Sequence, residues 1–217
     1  MKTIFAILSL ISLQTCISST PTTNYPEPVW TPQTEAQQGL KKAYFASGCF
    51  WCVEAVYESV MGVSEAYSGY AGGVTKNPNY NQIGTGKTGH AEAVEVIYDP
   101  KVVSFGTLIQ VFFGSHDPTT PNRQGPDYGS QYRSIAFYTS DQEKEIILSY
   151  IELLNKKSVF AKELVTEIKP LDKFYYAEEY HQNYEKKNPN NPYVQQVSIP
   201  RLRKFQKTYP ELLKENH

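Results

Sequence analysis

The alternation of apolar and polar positions from residue 41 onward predicts a domain that mixes short strands with helices. An apolar centre at 41–48 and an alternating run at 91–100 are each predicted to form a strand. Between them, 49–62 carries apolar residues at helical spacing and is predicted to be a helix with Gly62 as its C-cap. The hydrophobic period therefore changes between strand and helix along the chain.

The other predicted elements continue this alternation, and two of the helices begin at recognisable caps. Ser104 is predicted to cap one helix, and Ser140 with Glu143 forms a capping box at the start of another. The remaining predicted strands lie at 63–70, 132–140 and 164–171, and the remaining helices at 104–116, 140–160, 176–188 and 199–209. The chain shows no internal repeat and no second core. The pattern favours an α+β fold, with a single two-layer domain, a mixed sheet, flanking helices and long functional loops.

Two long loops, 74–90 and 117–131, are rich in turn-forming residues. Loops of this length in a compact domain are usually functional or disordered. We interpret them as functional because tyrosines and charged residues lie in or beside them, between strong elements. Tyr80, Asp127 and Tyr132 are candidates for hydrogen bonding to a polar ligand. The structural alternative is that Asp127 only stabilises its own turn and Tyr80 is only a surface residue.

The N-terminus is typical of an export signal, because a lysine precedes a short apolar run and small polar residues. We predict a signal peptide at 1–18, and the string "LQTC" indicates a lipoprotein type cleaved before Cys16. The alternative is a plain signal peptide that is cut near Ser18. Residues 19–40 are rich in Pro, Thr and Gln and are predicted to be a flexible linker to the domain at 41–217.

Composition narrows the functional classes. Hydrophobic residues make up 40% of the chain, which is typical of a globular protein, and the net charge of −1 gives no electrostatic reason to expect nucleic acid as a partner. The 17 tyrosines and 10 phenylalanines could line a pocket that combines apolar rings with hydroxyls, or could fill the core. Once Cys16 is removed or acylated, the domain keeps two cysteines.

Cys49 and Cys52 lie at the start of the predicted helix at 49–62, directly after Gly48. Free backbone N–H groups and the helix dipole are expected to lower the pKa of Cys49 and to favour its thiolate, which is a nucleophile. Cys52 is near enough to form a disulfide with it after a local adjustment. We interpret the pair as redox-active; the alternative is two buried structural thiols. With only four histidines and no second ligand cluster, a metal site is not expected.

Three further side chains near these cysteines could contribute to a site. Phe50 and Trp51 could wall an apolar pocket beside the thiol, or could pack in the core. Glu92 shares one face of the predicted strand 91–100 with apolar residues, so burial would raise its pKa and keep it protonated, as a general acid requires. The alternative is that Glu92 is a surface glutamate in a strand whose other side is buried, although Glu95 fits that description as well.

Six short strings, in order and with unbroken spacing over 41–206, resemble the A-type peptide-methionine sulfoxide reductases (methionine sulfoxide reductase A). The strings are GCFWC at 48–52, GYAGG at 69–73, NPNY at 77–80, TGHAEAV at 88–94, HDPTTPNRQGPDYGSQYRS at 116–134 and YHQNY at 180–184. The resemblance implies a ferredoxin-like core and reduction of methionine S-sulfoxide, free or in proteins, to methionine. It implies that Cys49 attacks the sulfoxide sulfur and that Glu92 protonates the departing oxygen.

The resemblance also implies roles for the loop and aromatic residues. Tyr80 and Tyr132 would hydrogen-bond the sulfoxide oxygen, and Asp127 would help to position the polar end of the substrate. Phe50 and Trp51 would form an apolar cup for the methyl group. His181 and Gln182 also match a family string, but the sequence suggests no role for either, and we interpret His181 as a satisfied residue within a helix.

Many members of the family carry resolving cysteines near the C-terminus. This chain departs from them, because its C-terminal tail contains no cysteine. We hypothesise that Cys52 resolves the sulfenic acid and that a thioredoxin-like dithiol then reduces the disulfide. No bound cofactor is expected. The protein is expected to be a monomer in the cell envelope or periplasm, or otherwise secreted, with membrane contact only through a lipid anchor at Cys16. Two alternatives are an envelope thiol–disulfide oxidoreductase that uses Cys49 and Cys52, and a non-catalytic binding module for oxidised peptides.

Overall fold

The structure is a computed structural model that describes residues 39–215 together with Pro32. The predicted signal peptide at 1–18, with Cys16, lies outside the described residues. The predicted linker at 19–40 lies outside them apart from Pro32 and its last two residues. Among the described residues, no helix is both long and apolar enough to cross a membrane.

Strands and helices are interspersed along the described chain. The strands are β1 (Lys41–Ser47), β2 (Val63–Ala71), β3 (Ala91–Tyr98), β4 (Arg123–Gln124), β5 (Asp127–Tyr128), β6 (Ser134–Tyr138), β7 (Glu167–Pro170) and β8 (Phe174–Tyr176). The α-helices are α1 (Phe50–Glu58), α2 (Tyr80–Gly84), α3 (Phe105–Gly114), α4 (Asp141–Lys156), α5 (Tyr184–Lys187) and α6 (Ile199–Thr208). Short 3₁₀ turns lie at Ser130–Tyr132, Glu179–His181 and Pro210–Leu212, and a π-helical segment at Val194–Ser198 leads into α6.

One six-stranded sheet organises the domain, with the strand order β7-β6-β1-β3-β2-β8. The β6–β7 pair is parallel and the other pairs are antiparallel, so the sheet is mixed as predicted. Its four central strands follow the chain order βαββαβ, because α1 connects β1 to β2 and α3 connects β3 to β6. This is the order of a ferredoxin-like core, and the predicted α+β class is confirmed.

The main hydrophobic core lies between the sheet and the helices. Phe45 of β1 is fully buried and stacks on Tyr57 of α1, with ring centroids 5.0 Å apart. The same ring contacts Phe112 of α3 at 5.5 Å, so α1 and α3 pack on one face of the sheet. Burial of each such side chain contributes roughly 1.5–3 kcal/mol. On the other face, Leu171 and Phe174 cover a smaller apolar cluster.

The predicted helix at 176–188 is wrong. The chain there completes β8, forms a 3₁₀ turn and then enters the short helix α5. The side chain of Gln182 accepts a hydrogen bond from the N–H of Ser68 and donates to the carbonyls of Ser68 and Ala177, at 3.0, 3.0 and 3.1 Å. Asn183 follows with a left-handed backbone, φ 55°. These tertiary bonds anchor the segment to β2 and prevent a continuous helix.

Helix α1 also ends earlier than predicted. Its last residue is Glu58 and its C-cap is Ser59, not Gly62. The hydroxyl of Ser59 donates to the carbonyl of Val56 at 2.7 Å, which satisfies one of the free carbonyls at the helix end. Gly62, with φ 84°, serves the turn that leads into β2 instead.

Both predicted loops contain short regular elements. Within 74–90, Asn79 accepts from the N–H of Gln82 at 3.0 Å, and the side chain of Gln82 accepts from the N–H of Asn79 at 3.1 Å. This capping box starts α2. Within 117–131, β4 and β5 form a small separate hairpin. Both segments carry tyrosines or carboxylates that approach the end of β1.

Candidate active site

A tight turn between β1 and α1 positions the first cysteine. Gly48 has φ +93°, and a Cβ there would lie 2.6 Å from Gln124, so glycine is required. The turn makes Cys49 the N-cap residue of α1 and leaves it 7% exposed. Arg201 of α6 secures this turn, since its Nη1 donates to the carbonyl of Ser47 at 2.9 Å.

The two thiols form one buried pair. Both cysteines are free and buried. Burial raises the pKa of Cys49, while a hydrogen bond from Cys49 and the charge of Arg201 lower the pKa of Cys52 to about 7. The expectation that the helix start lowers the pKa of Cys49 is therefore reversed, because the desolvation of its thiolate outweighs the dipole. The pair shares one negative charge near neutral pH, and its titration belongs to both sulfurs.

A buried carboxyl lies beside the first turn of α1. Glu92 of β3 is 2% exposed, and its Oε2 accepts a hydrogen bond from the N–H of Phe50 at 3.0 Å. Burial raises the pKa of Glu92 to about 8, against the smaller opposing effect of that bond. The predicted burial and the raised pKa of Glu92 are both seen. At neutral pH this carboxyl is protonated and can donate a proton.

Glu95, the competing carboxyl, points to the opposite face of β3 and is also buried. It accepts hydrogen bonds from Tyr44, Tyr176 and Lys42 at 2.8, 2.7 and 3.0 Å. Neither glutamate is the surface residue that the alternative required. Glu95 is satisfied within a structural network on the far side of the sheet.

The three polar loop residues converge near Glu92 and the thiols. Tyr80 begins α2, and Tyr132 ends the 3₁₀ turn that follows β5. Both are partly buried, and the pKa of each hydroxyl is raised by burial and then by the charge of Glu92. Asp127 accepts a hydrogen bond from the hydroxyl of Tyr193 at 2.6 Å. The structure thus brings all three predicted residues to the same region.

An aromatic cup, made by Phe50, Trp51, Tyr80, His181 and Tyr184, surrounds the start of α1. Trp51 stacks on Tyr184 with ring centroids 3.7 Å apart and an interplanar angle of 7°. Its indole Nε1 donates to Nδ1 of His181 at 3.1 Å. Phe50 is fully buried and lies 6.3 Å from the ring of Tyr80. The two aromatics between the cysteines therefore both belong to this wall, although they point in different directions from the helix.

The family model of peptide methionine sulfoxide reductase matches residues 41–213. The chain belongs to the peptide methionine sulfoxide reductase family. The chain is 51% identical to the peptide methionine sulfoxide reductase MsrA of Trichodesmium erythraeum over 172 residues, which cover 79% of this chain and 97% of that protein. It is 44% identical to MsrA 2 of Synechocystis sp. over 192 residues, which cover 87% of this chain and 90% of the relative.

Solved structures agree with this membership. The reduced form of Mxr1 from Saccharomyces cerevisiae superposes with a TM-score of 0.67 at 36% identity, covering 76% of this chain and 94% of that one. Methionine sulfoxide reductase A of Corynebacterium diphtheriae gives 0.62 at 38% identity, covering 70% and 77%. The resemblance to A-type reductases is confirmed, and the thiol–disulfide oxidoreductase and binding-module alternatives are not favoured.

Two residues of this reductase site were missed or misread in the sequence. His181 lies in a 3₁₀ turn rather than in a helix, and it orients Trp51. Because Nδ1 accepts from the indole, the proton of the neutral ring is on Nε2, which has no hydrogen-bond partner among the described residues. Burial lowers the pKa of His181 to about 4, so the ring is neutral at physiological pH.

Tyr193 is the second missed residue. Its hydroxyl lies 3.9 Å from Sγ of Cys52 and donates to Asp127. It is 141 positions from Cys52 in the chain, so no local pattern could have linked the two. A signal for the aromatic wall did exist, because His181 and Tyr184 both lie in the string YHQNY. Among the described residues, no group of three or more His, Cys, Asp and Glu side chains is placed to hold a metal ion.

Proposed function

We propose that this protein reduces methionine S-sulfoxide, free or in proteins, to methionine, with Cys49 as nucleophile and Glu92 as general acid. The observation that carries this proposal is the buried, protonated carboxyl of Glu92, which binds the N–H of the residue next to Cys49 at 3.0 Å. A sulfoxide oxygen leaves readily only when it gains a proton as the thiolate attacks its sulfur. The site supplies both groups side by side.

In the first step, the Cys49 thiolate attacks the sulfoxide sulfur and Glu92 protonates the oxygen. The hydroxyl released from the substrate sulfur then bonds to the sulfur of Cys49 as the bond between the two sulfurs breaks, so the products are methionine and a Cys49 sulfenic acid. Because the pKa of Cys52 is the lower of the two, the proton of the resting pair stays on Cys49 and the Cys52 thiolate accepts its hydrogen bond. Cys52 is therefore the base within reach that takes this proton as the sulfur of Cys49 attacks.

The surrounding residues orient the sulfoxide in this proposal. The hydroxyls of Tyr80 and Tyr132, both near Glu92, would donate to the developing oxyanion, and each such donor typically contributes on the order of 3 kcal/mol. Phe50 and Trp51 offer apolar surface to the methyl group. Asp127, held by Tyr193, lies on the side where the polar end of the substrate would bind.

Recycling completes the cycle. The sulfur of Cys52 attacks the sulfenic acid sulfur of Cys49, which forms a disulfide and releases water. A thioredoxin-like dithiol then transfers two electrons to this disulfide and restores both thiols. The direct contact between the two cysteines supports Cys52 as the resolving residue. No bound cofactor takes part in any of these steps.

The direct test is a reduction assay with dithiothreitol and either epimer of methionine sulfoxide. We expect the wild type to reduce the S epimer and not the R epimer, and we expect Cys49→Ser to be inactive. Cys52→Ser is the matched control, since the external thiol can reduce a sulfenic acid directly. Undiminished turnover by Cys49→Ser would overturn the proposal.

We further propose that the enzyme works outside the cytoplasm as a monomer, on the N-terminal sequence pattern described above. A lipid on Cys16 would be its contact with the membrane. In cell fractionation, the wild type should pellet with membranes, whereas Cys16→Ser should appear in the soluble envelope fraction. A wild-type protein found only in the cytoplasm would contradict this location.

A further inference from the structure

Arg133 lies between the 3₁₀ turn at Ser130–Tyr132 and the start of β6. Its side chain is 11% exposed, so the guanidinium is largely shielded from water. Removing a charge from water costs free energy unless hydrogen bonds and an opposite charge satisfy it. The partners of Arg133 therefore indicate what this side chain does.

The guanidinium of Arg133 donates to acceptors on three different segments. Its Nη1 donates to the carbonyl of Ser130 at 2.8 Å, in the turn that ends at Tyr132. Its Nη2 donates to the carbonyl of Gly89 at 2.9 Å, in the loop before β3. Its Nε donates to the carboxylate of Glu167 at 2.9 Å, at the start of β7. One rigid, planar group thus fixes two loop carbonyls and a carboxylate relative to each other.

The two loop carbonyls are close in the chain to the groups that act on the sulfoxide oxygen in the proposed function. Ser130 is in the same turn as Tyr132, and Gly89 comes shortly before Glu92. The turn also packs against β3. Burial and then the charge of Glu92 raise the pKa of the Tyr132 hydroxyl, which places the two groups near each other. The bonds from Arg133 therefore tie the backbone of the hydroxyl donor to the backbone of the acid.

Other hydrogen bonds of this turn fix its position less firmly. The hydroxyl of Ser130 donates to the carbonyl of Gly86 at 3.3 Å, at an exposed position. The N–H of Tyr132 donates to the carbonyl of Gly129 at 3.0 Å, but this bond stays within the turn and does not orient it against β3. The bonds from Arg133 are shorter than the bond to Gly86 and come from a charged donor, so Arg133 is the stronger link between the turn and the loop before β3.

We propose that Arg133 is a positioning residue for sulfoxide reduction, which holds the hydroxyl of Tyr132 beside the carboxyl of Glu92 so that both groups reach the same oxygen. Arg133 itself does not touch the substrate. A donor stabilises the developing oxyanion only from the correct distance and direction, and a misplacement of about 1 Å can slow a reaction on the order of 100-fold. The inference rests on the proposed function and names a residue that acts through Tyr132.

Substitution by lysine separates positioning from the ion pair. The ammonium of Arg133→Lys can keep the ion pair with Glu167, but it lacks the planar fork that reaches both loop carbonyls at once. Arg133→Met removes all three bonds. Lys169→Met is the matched control, because Lys169 also pairs with Glu167 but donates to neither loop carbonyl.

The assay measures the single-turnover rate of methionine formation by each reduced enzyme, without reductant and over a range of methionine S-sulfoxide concentrations. We expect both Arg133 variants to lower the maximal rate by about tenfold or more. The sulfoxide concentration that gives half of this rate should change little, because the donor acts on the transition state. Lys169→Met should match the wild type.

Urea unfolding of the same enzymes separates a loss of rate from a loss of folded protein. Arg133→Lys should be folded at the assay concentration of urea-free buffer and still be slow. A wild-type maximal rate in either Arg133 variant would overturn the proposal. Failure of the wild type to form methionine in the single turnover would instead overturn the proposed function.

A double-substitution cycle tests whether Arg133 acts through Tyr132. Arg133→Lys combined with Tyr132→Phe should be as slow as Tyr132→Phe alone, within about twofold, because no hydroxyl remains to be positioned. Combined with Tyr80→Phe, the two losses should multiply, since the N–H of Tyr80 is held separately by Glu178 at 2.9 Å. Losses that multiply with Tyr132→Phe as well would mean that Arg133 does not act through this hydroxyl, and would overturn the proposal.

Discussion

Replacement of Glu92 by glutamine tests the acid and its burial together. Glu92→Gln keeps the size of the side chain and an oxygen that can accept from the N–H of Phe50, but removes the proton that the sulfoxide oxygen needs. Loss of a positioned general acid typically slows a reaction by about 10²–10⁴-fold. We expect the single-turnover rate to fall by that factor. The wild-type rate should fall above about pH 8 as Glu92 ionises, and the variant should lack this decline.

The same substitution should change how stability depends on pH. The pKa of Glu92 is raised from 4.5 to about 8 by burial, so the folded state holds a proton that the unfolded chain has lost. Between these values the free energy of unfolding therefore falls as pH rises. At about 1.4 kcal/mol per pH unit, the loss is on the order of 5 kcal/mol across the window. This loss of stability is absent below pH 4.5 and complete above about pH 8.

Urea unfolding at pH 5 to 8 measures this effect, and quenched-flow reduction of a sulfoxide peptide measures the rate. Relative to the wild type, Glu92→Gln should gain stability steadily as pH rises. Glu54→Gln is a matched control, because Glu54 is also 2% exposed and burial also raises its pKa to about 8, yet it binds Ser68 and Asn183 away from the thiols. It should show a similar gain in stability and keep most of its single-turnover rate.

Two results would refute this reasoning. A difference in unfolding free energy between Glu92→Gln and wild type that stays constant from pH 5 to 8 would mean that Glu92 is ionised in the folded enzyme. A single-turnover rate near that of the wild type would mean that another group protonates the oxygen.

Three further predictions concern the thiols and the hydroxyls. After one equivalent of sulfoxide, mass spectrometry of the wild type should show a disulfide between Cys49 and Cys52, seen as the loss of two hydrogens from this pair; a persistent sulfenic acid on Cys49 would refute resolution by Cys52. Tyr80→Phe and Tyr132→Phe should each lower kcat by about 10²- to 10³-fold, whereas the exposed control Tyr128→Phe should not; equal rates in all three would refute the hydroxyl donors. Tyr193→Phe should move the pH midpoint for alkylation of the cysteine pair upward from about 7; an unchanged midpoint would show that the hydroxyl does not stabilise the thiolate.

Local signals in the sequence predicted the elements whose ends depend on local bonds. Ser104 and Ser140 cap α3 and α4 as predicted, because their hydroxyls accept from the N–H groups of Thr107 and Glu143 at 3.0 and 3.2 Å. The reciprocal half of the predicted capping box is not formed, since the carboxylate of Glu143 accepts from the N–H of Thr139 instead. The predicted helix at 176–188 failed because distant partners determine that segment. A pattern within the segment cannot report hydrogen bonds to β2.

The same distinction between local and distant determinants applies to the site residues. Alternation in β3 predicted the burial of Glu92, since a strand places alternate residues on one face. The pKa of Cys49 depends on how completely the surrounding elements exclude water, so the position at the start of α1 predicted the wrong direction. Tyr193 and Arg201 reach the thiols from the C-terminal part of the chain, and only the folded structure brings them there.

The most direct test of the account is the location of the sulfoxide oxygen after a single turnover. Reduced Cys52→Ser enzyme is given one equivalent of methionine S-sulfoxide without reductant, and its peptides are analysed by mass spectrometry with a reagent that traps sulfenic acids. We predict one methionine formed per enzyme and one trapped oxygen on Cys49. Formation of methionine with Cys49 unmodified would contradict the claim that this sulfur attacks the substrate.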